Sequence, residues 1–385
     1  MSPKEPLSIY LHWPFCGAKC PYCDFNSHVR LSIDESRWVA ALLRALTYWH
    51  EQTADREIVT IFWGGGTPSL LEPASVAMIL DHIAKLWSVA PDCEITLEAN
   101  PTTHEAARFA DFRKVGINRL SLGVQSFEQP ALDFLGRTYK VADAERALDH
   151  IASTFPRYSF DLIYALPSHD LAQWKPQLDY ALTYVGEHLS LYQLTFEPGT
   201  RFYQALQTGR MTALDDETAA DMFEYTVGRL VEKGLAQYEI SNFASPGAEA
   251  RHNMVYWQGG DWIGVGPGAH GRVGRGAERQ AISNIRSPEK WLSSAETAGF
   301  GVETCEPVNL NEVAEELVLT GLRLSTGLDK ATFERVSEQN IDQALDPGKR
   351  HTLIDAGLAW ETPNGFGLTP DGLMLLDANI QFLLT

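Results

Sequence analysis

The stretch Cys16-Gly17-Ala18-Lys19-Cys20-Pro21-Tyr22-Cys23 places three cysteines within eight residues, at the spacing C-x3-C-x2-C. Three thiolates this close together can bind three corners of one 4Fe–4S cluster, and the fourth iron is then left without a protein ligand. An iron of that kind is available for chemistry. The spacing therefore predicts a cluster held by Cys16, Cys20 and Cys23.

Zinc is the main alternative at this motif. A structural zinc site is closed by four nitrogen or sulfur ligands, and no further C-x2-C or H-x3-H pair appears downstream to supply them. His12 and His28 flank the cysteines, so a fourth ligand stays open at this point. Reduced structural thiols are the remaining alternative.

The residues around the cysteines make the sequence recognisable. Tyr10-Leu11-His12-Trp13-Pro14-Phe15-Cys16, the cysteine run and the later blocks described below resemble the radical S-adenosylmethionine (SAM) superfamily. Within it they resemble the branch of the oxygen-independent coproporphyrinogen III dehydrogenase HemN and the heme chaperone HemW, over nearly the whole chain. The resemblance implies that SAM chelates the open iron and that one electron can cleave it to a 5'-deoxyadenosyl radical.

Length and composition restrict the class of protein and its possible partners. A chain of 385 residues suits one barrel-sized domain with a small addition. The formal net charge of -19 argues against nucleic acid and against direct docking on anionic lipid. No apolar run is long enough to span a membrane, and the start, Met1-Ser2-Pro3-Lys4-Glu5-Pro6, lacks signal-peptide character. We therefore expect a cytoplasmic protein, in which Cys93 and Cys305 are buried packing residues and neither ligands nor a disulfide pair.

Strand and helix patterns alternate through the first two hundred residues. Predicted strands lie at 7–12, 57–63, 94–98, 119–123, 159–164 and 189–194, and amphipathic helices lie between them. Six such units predict an α/β fold with parallel strands, in the form of a partial (β/α)6 TIM-like barrel. An open doubly wound sheet is the alternative. In a barrel, the motifs that follow successive strands would meet at one edge.

The pattern changes after about residue 308. Short helices are predicted at 311–323, 330–339, 347–356 and 371–383, with a two-strand wing at 358–368 before the last of them. We predict three regions: the radical SAM barrel at 1–240, a connecting region at 241–308, and a small helical, winged-helix-like domain at 309–385. The acidic charge favours a lid or partner-docking role for this last domain over DNA binding.

The resemblance also implies which residues hold SAM. Gly64-Gly65-Gly66-Thr67-Pro68 follows the second strand, and this block binds the methionine amino group in radical SAM proteins, which assigns that role to Gly65, Gly66 and Thr67. Without the family, the run could be only a turn. Carboxylates suit ribose hydroxyls and an arginine suits the methionyl carboxylate, although each such residue is also common at surfaces. The further SAM residues implied are Tyr10, Tyr22, Glu98, Gln125, Arg137 and Asp161.

Two details separate the relatives within the branch. HemN-type dehydrogenases carry a further cysteine two residues after the third, and this chain has Phe25 there. Arg251-His252-Asn253-Met254-Val255-Tyr256-Trp257 contains H-N-x-x-Y-W, which is associated with heme binding in the HemW group. The resemblance thus makes His252 a candidate heme ligand and His270 a weaker one; without it, His252 is an ordinary packing histidine.

The sequence accordingly favours a heme chaperone that binds a 4Fe–4S cluster, SAM and heme. It would deliver heme to apo-heme proteins of the respiratory chain, such as apo-cytochromes. The alternative is an oxygen-independent coproporphyrinogen III dehydrogenase, whose chemistry Phe25 argues against. No nucleic acid and no membrane span are expected, whereas peripheral membrane association through a partner and pairing of two protomers stay open.

Overall fold

The computed structural model describes residues 4–30 and 32–385. Met1–Pro3 and Leu31 lie outside the described residues. The sequence-based expectations for the first residues of the chain, and for the start of the predicted 1–240 region, therefore fall partly outside them.

The strands are given in chain order. They are β1 (Pro6–Trp13), β2 (Phe15–Cys16), β3 (His28–Val29), β4 (Glu57–Gly65), β5 (Ser88–Ala99), β6 (Arg119–Gln125), β7 (Arg157–Tyr164), β8 (His188–Gln193), β9 (Ala236–Glu239), β10 (Asn242–Ala244), β11 (Trp262–Val265), β12 (His270–Val273), β13 (Gln280–Asn284), β14 (Val302–Pro307), β15 (Leu328–Asp329), β16 (Ala359–Glu361) and β17 (Gly365–Leu368).

The helices follow in the same order. They are α1 (Glu35–Thr53), α2 (Pro73–Leu86), α3 (Thr103–Ala106), α4 (Phe109–Lys114), α5 (Gln129–Phe134), α6 (Val141–Thr154), α7 (Leu171–Ala181), α8 (Arg201–Gln207), α9 (Asp216–Glu232), α10 (Arg251–Trp257), α11 (Pro288–Thr297), α12 (Leu310–Gly321), α13 (Lys330–Ser337), α14 (Ile341–Ala344), α15 (Pro347–Asp355), α16 (Pro370–Met374) and α17 (Leu376–Leu384). Short 3-10 helices lie at Pro68–Leu70 and Gly276–Glu278.

One large sheet forms the centre of the molecule. Its strand order is β14-β13-β12-β11-β1-β4-β5-β6-β7-β8-β10-β9. Strands β1, β4, β5, β6, β7 and β8 are parallel and adjacent in chain order, as successive crossover units require. The predicted α/β class and the partial barrel of six units are confirmed. Antiparallel strands extend the sheet at both ends, and its edge strands do not pair to close a barrel.

Side-chain alternation explains how the parallel strands are buried. In β1, Leu7, Ile9 and Leu11 belong to the main hydrophobic core together with the inner face of α1. The alternate residues of a strand point to the other side of the sheet. On that side Ser8 is fully buried and accepts a hydrogen bond from Thr60 of β4, with 2.8 Å between the hydroxyl oxygens. This side of the sheet therefore contains buried polar groups beside aromatic rings such as Tyr10 and Phe62.

The region from 241 to 308 continues this sheet. It supplies β10 through β14, and β11 pairs in parallel with β1. Cys305 lies in β14 and is exposed, so its predicted burial is wrong, whereas Cys93 is buried as predicted. Residues 308–384 instead bury a second hydrophobic core, built around Val313, Leu317 and Phe333. In that part, β15, β17 and β16 form a small sheet of their own, which adds one strand to the predicted wing. The exact domain boundaries remain a prediction.

Two predicted helices are each divided in the structure. The helix expected at 104–114 is split into α3 and α4, and the one expected at 371–383 is split into α16 and α17 at Leu375. Leu375 leaves helical geometry, with φ -109° and ψ 28°. The side chain of Asn379 donates to the carbonyl of Gly372 across this break. Among the described residues, no helix combines the length and apolar character that crossing a membrane requires.

Candidate functional site

The carboxyl ends of the parallel strands surround a cavity of about 1380 Å³. This volume exceeds the roughly 300–1,000 Å³ of a usual single-ligand pocket. The parallel strands bring their ends to the same edge of the sheet, so residues far apart in sequence meet there. Eleven of the predicted site residues line the cavity: Cys16, Cys20, Tyr22, Cys23, Gly65, Gly66, Thr67, Glu98, Gln125, Arg137 and Asp161. Tyr10 and His252 are not among the lining residues.

The three cysteines are free thiols that are half-buried at one end of the cavity. Each sulfur has a hydrogen-bonding side chain nearby: Thr67 donates to Cys16 over 3.5 Å, Arg137 donates to Cys20 over 3.2 Å, and the hydroxyl of Ser27 lies 3.7 Å from the sulfur of Cys23. Donors to sulfur stabilise cluster thiolates and tune their potential. The donor set therefore fits a 4Fe–4S cluster.

A site for a single metal ion is not formed among the described residues. No group of three or more His, Cys, Asp or Glu side chains converges on one point there. A cube is held differently, because its thiolates bind three different iron atoms. His12 is occupied at both ring nitrogens, by the Tyr10 hydroxyl over 3.1 Å and by the Asn26 carbonyl over 3.0 Å. Burial lowers the pKa of His12 to about 4, so this ring is a neutral part of the packing.

The glycine run is explained by the close approach of the cysteine loop. A Cβ on Gly66 would lie 2.5 Å from the carbonyl oxygen of Phe15, and one on Gly65, whose φ is +107°, would meet the ring of His12 at 2.5 Å. The backbone N–H of Gly66 donates to Trp13 and that of Thr67 donates to Phe15. These glycines therefore fasten the end of β4 to the loop that carries the cysteines.

Two carboxyl groups face the cavity from strands β5 and β7, which lie on either side of β6. Burial, followed by the charge of Asp161, raises the pKa of Glu98 to about 8. Burial raises the pKa of Asp161 to about 6, against a hydrogen bond from Ser190. The backbone N–H of Gly65 donates to Glu98. Near neutral pH, Glu98 is therefore largely protonated and can donate as well as accept a hydrogen bond.

Arg137 is the most connected polar side chain of the site. Its guanidinium donates to Cys20 and also to the hydroxyls of Tyr22 and Tyr139, over 3.2 and 2.9 Å. It also donates to the side-chain carbonyl of Asn100. The sequence analysis did not predict Asn100 and Tyr139 as site residues. Their positions could have indicated them, because Asn100 lies two residues after Glu98 and Tyr139 lies two residues after Arg137.

Gln125 ends β6 in the left-handed region, with φ 67°. The pairing of β6 with β7 shifts between Leu122 and Gln125, which marks an irregularity in the strand. Non-glycine residues held at such angles store backbone strain and concentrate at functional sites. The irregularity turns the end of β6 toward the cavity.

His252 lies outside the cavity and is 1% exposed. Its Nδ1 is 2.7 Å from the Thr60 hydroxyl, and its Nε2 is 2.7 Å from the Tyr256 hydroxyl. Its ring stacks on Phe62 at 5.0 Å, and the Tyr10 ring lies 6.4 Å away. Neither ring nitrogen is free in this conformation. Heme ligation by His252 stays a prediction, and it would require one of these hydrogen bonds to break.

The block Gly264–Gly271 also lies away from the cavity lining. Asn26 of the cysteine loop donates to the carbonyls of Pro267 and Arg286, each over 2.9 Å. A Cβ on Gly266 would lie 2.3 Å from the carbonyl oxygen of His12. These residues therefore support the cysteine loop from outside the cavity. His270 is exposed.

The other end of the cavity is apolar and was not predicted. It is lined from β8, α9, the turn after β9 and the break between α16 and α17, by Leu191, Tyr192, Leu194, Ala219, Ala220, Phe223, Ile240, Leu373, Met374, Leu375 and Leu376. Arg323 lines the cavity as well and packs over the Trp257 ring at 4.9 Å. The cavity thus combines a cysteine end, a polar middle and a largely apolar end that also carries Arg323 and the carboxylates of Asp216 and Asp377.

Comparison with known proteins supports this arrangement. Residues 10–180 match the family model of the radical SAM superfamily, and residues 308–375 match that of the HemN C-terminal domain. The heme chaperone HemW of Escherichia coli is 44% identical, over 98% of this chain and 98% of its own length. Radical S-adenosyl methionine domain-containing protein 1, mitochondrial, of Bos taurus is 37% identical, over 99% of this chain and 88% of its own.

A solved structure shows the same fold. Coproporphyrinogen III oxidase (HemN) from Escherichia coli, described as a radical SAM enzyme, superposes with a TM-score of 0.84 and 21% identity. The match covers 100% of this chain and 91% of that one. At this identity the likeness concerns the fold alone.

Proposed function

Because the chain belongs to the HemW family of the radical SAM superfamily, we propose that it is a heme chaperone that binds a 4Fe–4S cluster, SAM and heme. It would pass heme to apo-heme proteins such as apo-cytochromes or respiratory enzymes. Transfer would follow from differences in affinity, with no bond made or broken on the porphyrin. The proposal includes a reducing, cytoplasmic setting, in which cluster and thiols persist.

The cysteine end and the polar middle of the cavity support the first two ligands. Cys16, Cys20 and Cys23 would hold the cluster, which supplies an electron and an open iron when bound. The polar residues beside them would hold SAM: Tyr22, Gly65, Gly66, Thr67, Glu98, Gln125, Arg137 and Asp161. Tyr10 does not line the cavity, so it would support the SAM site indirectly. Its ring stacks on that of Phe62, in the strand that leads to the glycine run. Arg137, beside Cys20, suits a carboxylate near the cluster.

The apolar end of the cavity is the observation that carries the heme proposal. Its aromatic and aliphatic lining suits the flat apolar faces of a tetrapyrrole. Arg323, which forms an ion pair with Glu239 at 3.5 Å, can also bind a carboxylate at the porphyrin edge. Leu375 is 51% exposed and Phe25 is 60% exposed, although both are large apolar side chains at the cavity. An apolar ligand would cover such side chains. The cavity volume leaves room for it beside the cluster and SAM.

Phe25 separates this proposal from dehydrogenase chemistry. In the dehydrogenases the corresponding position is a cysteine that the reaction needs, whereas Phe25 has no acidic proton and no nucleophile. Its ring lines the cavity two residues beyond Cys23. We therefore expect no conversion of coproporphyrinogen III by the reductant-supplied protein.

The test uses cluster-reconstituted protein under anaerobic conditions. The heme-loaded protein is mixed with an apo-b-type cytochrome, and the absorption spectrum of the holo-cytochrome is followed with and without SAM. We expect transfer of heme to the acceptor. A parallel sample receives coproporphyrinogen III, SAM and reductant, and sustained formation of protoporphyrinogen with 5'-deoxyadenosine would refute the chaperone proposal.

The same mixture tests whether the cluster and SAM matter for transfer. We expect cluster-free, SAM-free protein that is still folded to transfer heme differently from the complete protein. Equal transfer rates would show that the cluster and SAM do not control this step.

A further inference from the structure

A second, smaller cavity lies at the opposite end of the parallel strands. Its volume is about 120 Å³, enough for roughly four water molecules at ~30 Å³ each. Three basic residues line it: Arg119, Arg157 and His188. They are the first residues of β6, β7 and β8, which are adjacent and parallel. The cavity therefore lies at the amino-terminal edge of the sheet, away from the cysteines.

Arg119 is a buried cation without a carboxylate partner. Its side chain is 3% exposed, and it donates one hydrogen bond, from Nη2 to the Ser159 hydroxyl over 2.9 Å. It forms no ion pair with any carboxylate that the structure describes; its charge acts only at longer range on Asp161 and Glu98, whose pKa values it lowers. Arg157 differs, because it is paired with Glu94 at 2.5 Å and donates to two backbone carbonyls. A buried charge is costly unless it is paired, so Arg119 calls for a counter-charge.

His188 adds a second donor to the same wall. It is 2% exposed, and its Nε2 lies 2.9 Å from the Tyr238 hydroxyl. That hydroxyl accepts from the backbone N–H of Ala250 over 3.4 Å and can donate its own proton to Nε2. In that tautomer the ring proton is on Nδ1, which has no partner among the described residues and can donate to a ligand in the cavity. Burial, and then the charges of Arg119 and Arg157, lowers the pKa of His188 well below its ordinary value, so the ring is neutral.

We propose that this cavity binds a small oxyanion, of the size of inorganic phosphate or sulfate, which pairs with Arg119. The cavity reaches the surface beside Gly186 and Glu187, which are exposed. Glu187 lines it as well, and its negative charge opposes the anion. The bound anion would neutralise Arg119 and fix the first residues of three strands. This site is independent of the cluster, SAM and heme.

The probe is inorganic phosphate, added to cluster-reconstituted protein and compared with chloride at equal ionic strength. Binding is measured by calorimetry, and thermal unfolding is followed in the same series. We expect saturable binding together with a rise in the unfolding temperature. Sulfate should compete with phosphate, because both are small oxyanions whose oxygen atoms accept hydrogen bonds.

Two variants that change the charge of the cavity lining in opposite directions make the test specific. Arg119→Gln should weaken phosphate binding at least about tenfold, whereas Glu187→Gln should tighten it severalfold. Arg146→Gln, at an exposed arginine whose side chain is 68% exposed, should leave it unchanged. Glu187 is exposed, so its variant remains informative even if Arg119→Gln does not fold. No saturable phosphate binding, or affinity unchanged in both Arg119→Gln and Glu187→Gln, would overturn the proposal.

Discussion

Nη1 of Arg137 lies 3.2 Å from the sulfur of Cys20 and donates a hydrogen bond to it. The two residues are 117 positions apart, because Arg137 lies in the loop between α5 and α6 and Cys20 lies in the loop between β2 and β3. The same guanidinium holds the Tyr22 and Tyr139 hydroxyls and the Asn100 side chain. The loop that carries the cysteines is therefore fixed to the opposite wall of the cavity by a cation.

This contact predicts an electrochemical effect. A positive hydrogen-bond donor at a thiolate favours the reduced, more negative cluster. Replacing it in Arg137→Met should therefore make the reduction potential more negative by tens of millivolts, measured without SAM by redox titration with electron paramagnetic resonance. Arg146→Met, at an exposed arginine, is the control and should not change it. An unchanged potential in Arg137→Met would mean that the contact does not tune the cluster.

The glycine run gives a second prediction. An added Cβ at Gly66 would lie 2.5 Å from the backbone of Phe15, so Gly66→Ala must push the cysteine loop away. We expect a loss of stability of about 1–3 kcal/mol, typical of overpacking, and lower iron incorporation on reconstitution. Gly17→Ala, in the same loop but with nothing within 4 Å, is the matched control. Cys20→Ala gives the cluster-free reference, and iron content equal to wild type in Gly66→Ala would refute this role.

Glu98 gives a prediction about pH. Its pKa is raised to about 8 by burial and the charge of Asp161, whereas an ordinary glutamate ionises at about 4.3. Between these values the folded protein binds more protons at this position than the unfolded chain, so the contribution of Glu98 to stability is present at low pH and falls as the pH rises toward 8.

Glu98→Gln should remove this dependence. Its free energy of unfolding should gain on that of wild type from about pH 5 to about pH 8, measured by denaturant unfolding at each pH. Glu303→Gln, at an exposed residue, should follow wild type throughout. A constant difference between Glu98→Gln and wild type across this range would show that Glu98 is ionised normally in the folded protein.

The sequence allowed prediction of the site residues that lie at the carboxyl ends of strands. The family resemblance named the glycine run, Glu98, Gln125 and Asp161, and they were expected to meet the cysteine loop because parallel strands end at one edge. The apolar end of the cavity could not be predicted in this way. Leu375 reaches it from a helix break nearly two hundred residues after β8, and no periodicity of a single segment reports such a contact.

His252 is a second example of a contact that the local sequence does not reveal. Its motif indicates heme binding, but the number of hydrogen bonds its ring makes depends on Thr60, almost two hundred positions earlier. If His252 ligates heme, His252→Ala should lose heme affinity at least about tenfold, and Tyr256→Phe, which keeps the imidazole but frees Nε2, should retain it. His252→Ala also loses two buried hydrogen bonds and Tyr256→Phe loses one, each worth about 1–3 kcal/mol, so stability is measured in parallel. Equal heme affinity in His252→Ala and wild type would place the ligand elsewhere.

The most direct test of heme binding in the cavity is an anaerobic titration of the cluster-reconstituted protein with heme, read at the Soret band. We expect saturable binding of one heme per chain. Leu375→Asp should weaken it at least about tenfold, or about 1.4 kcal/mol, because a charge replaces an apolar contact at the cavity. Leu319→Asp, at a leucine that is similarly exposed but does not line the cavity, should bind heme as wild type does. The absence of saturable binding to the wild-type protein, or equal weakening in both variants, would contradict heme binding at this site.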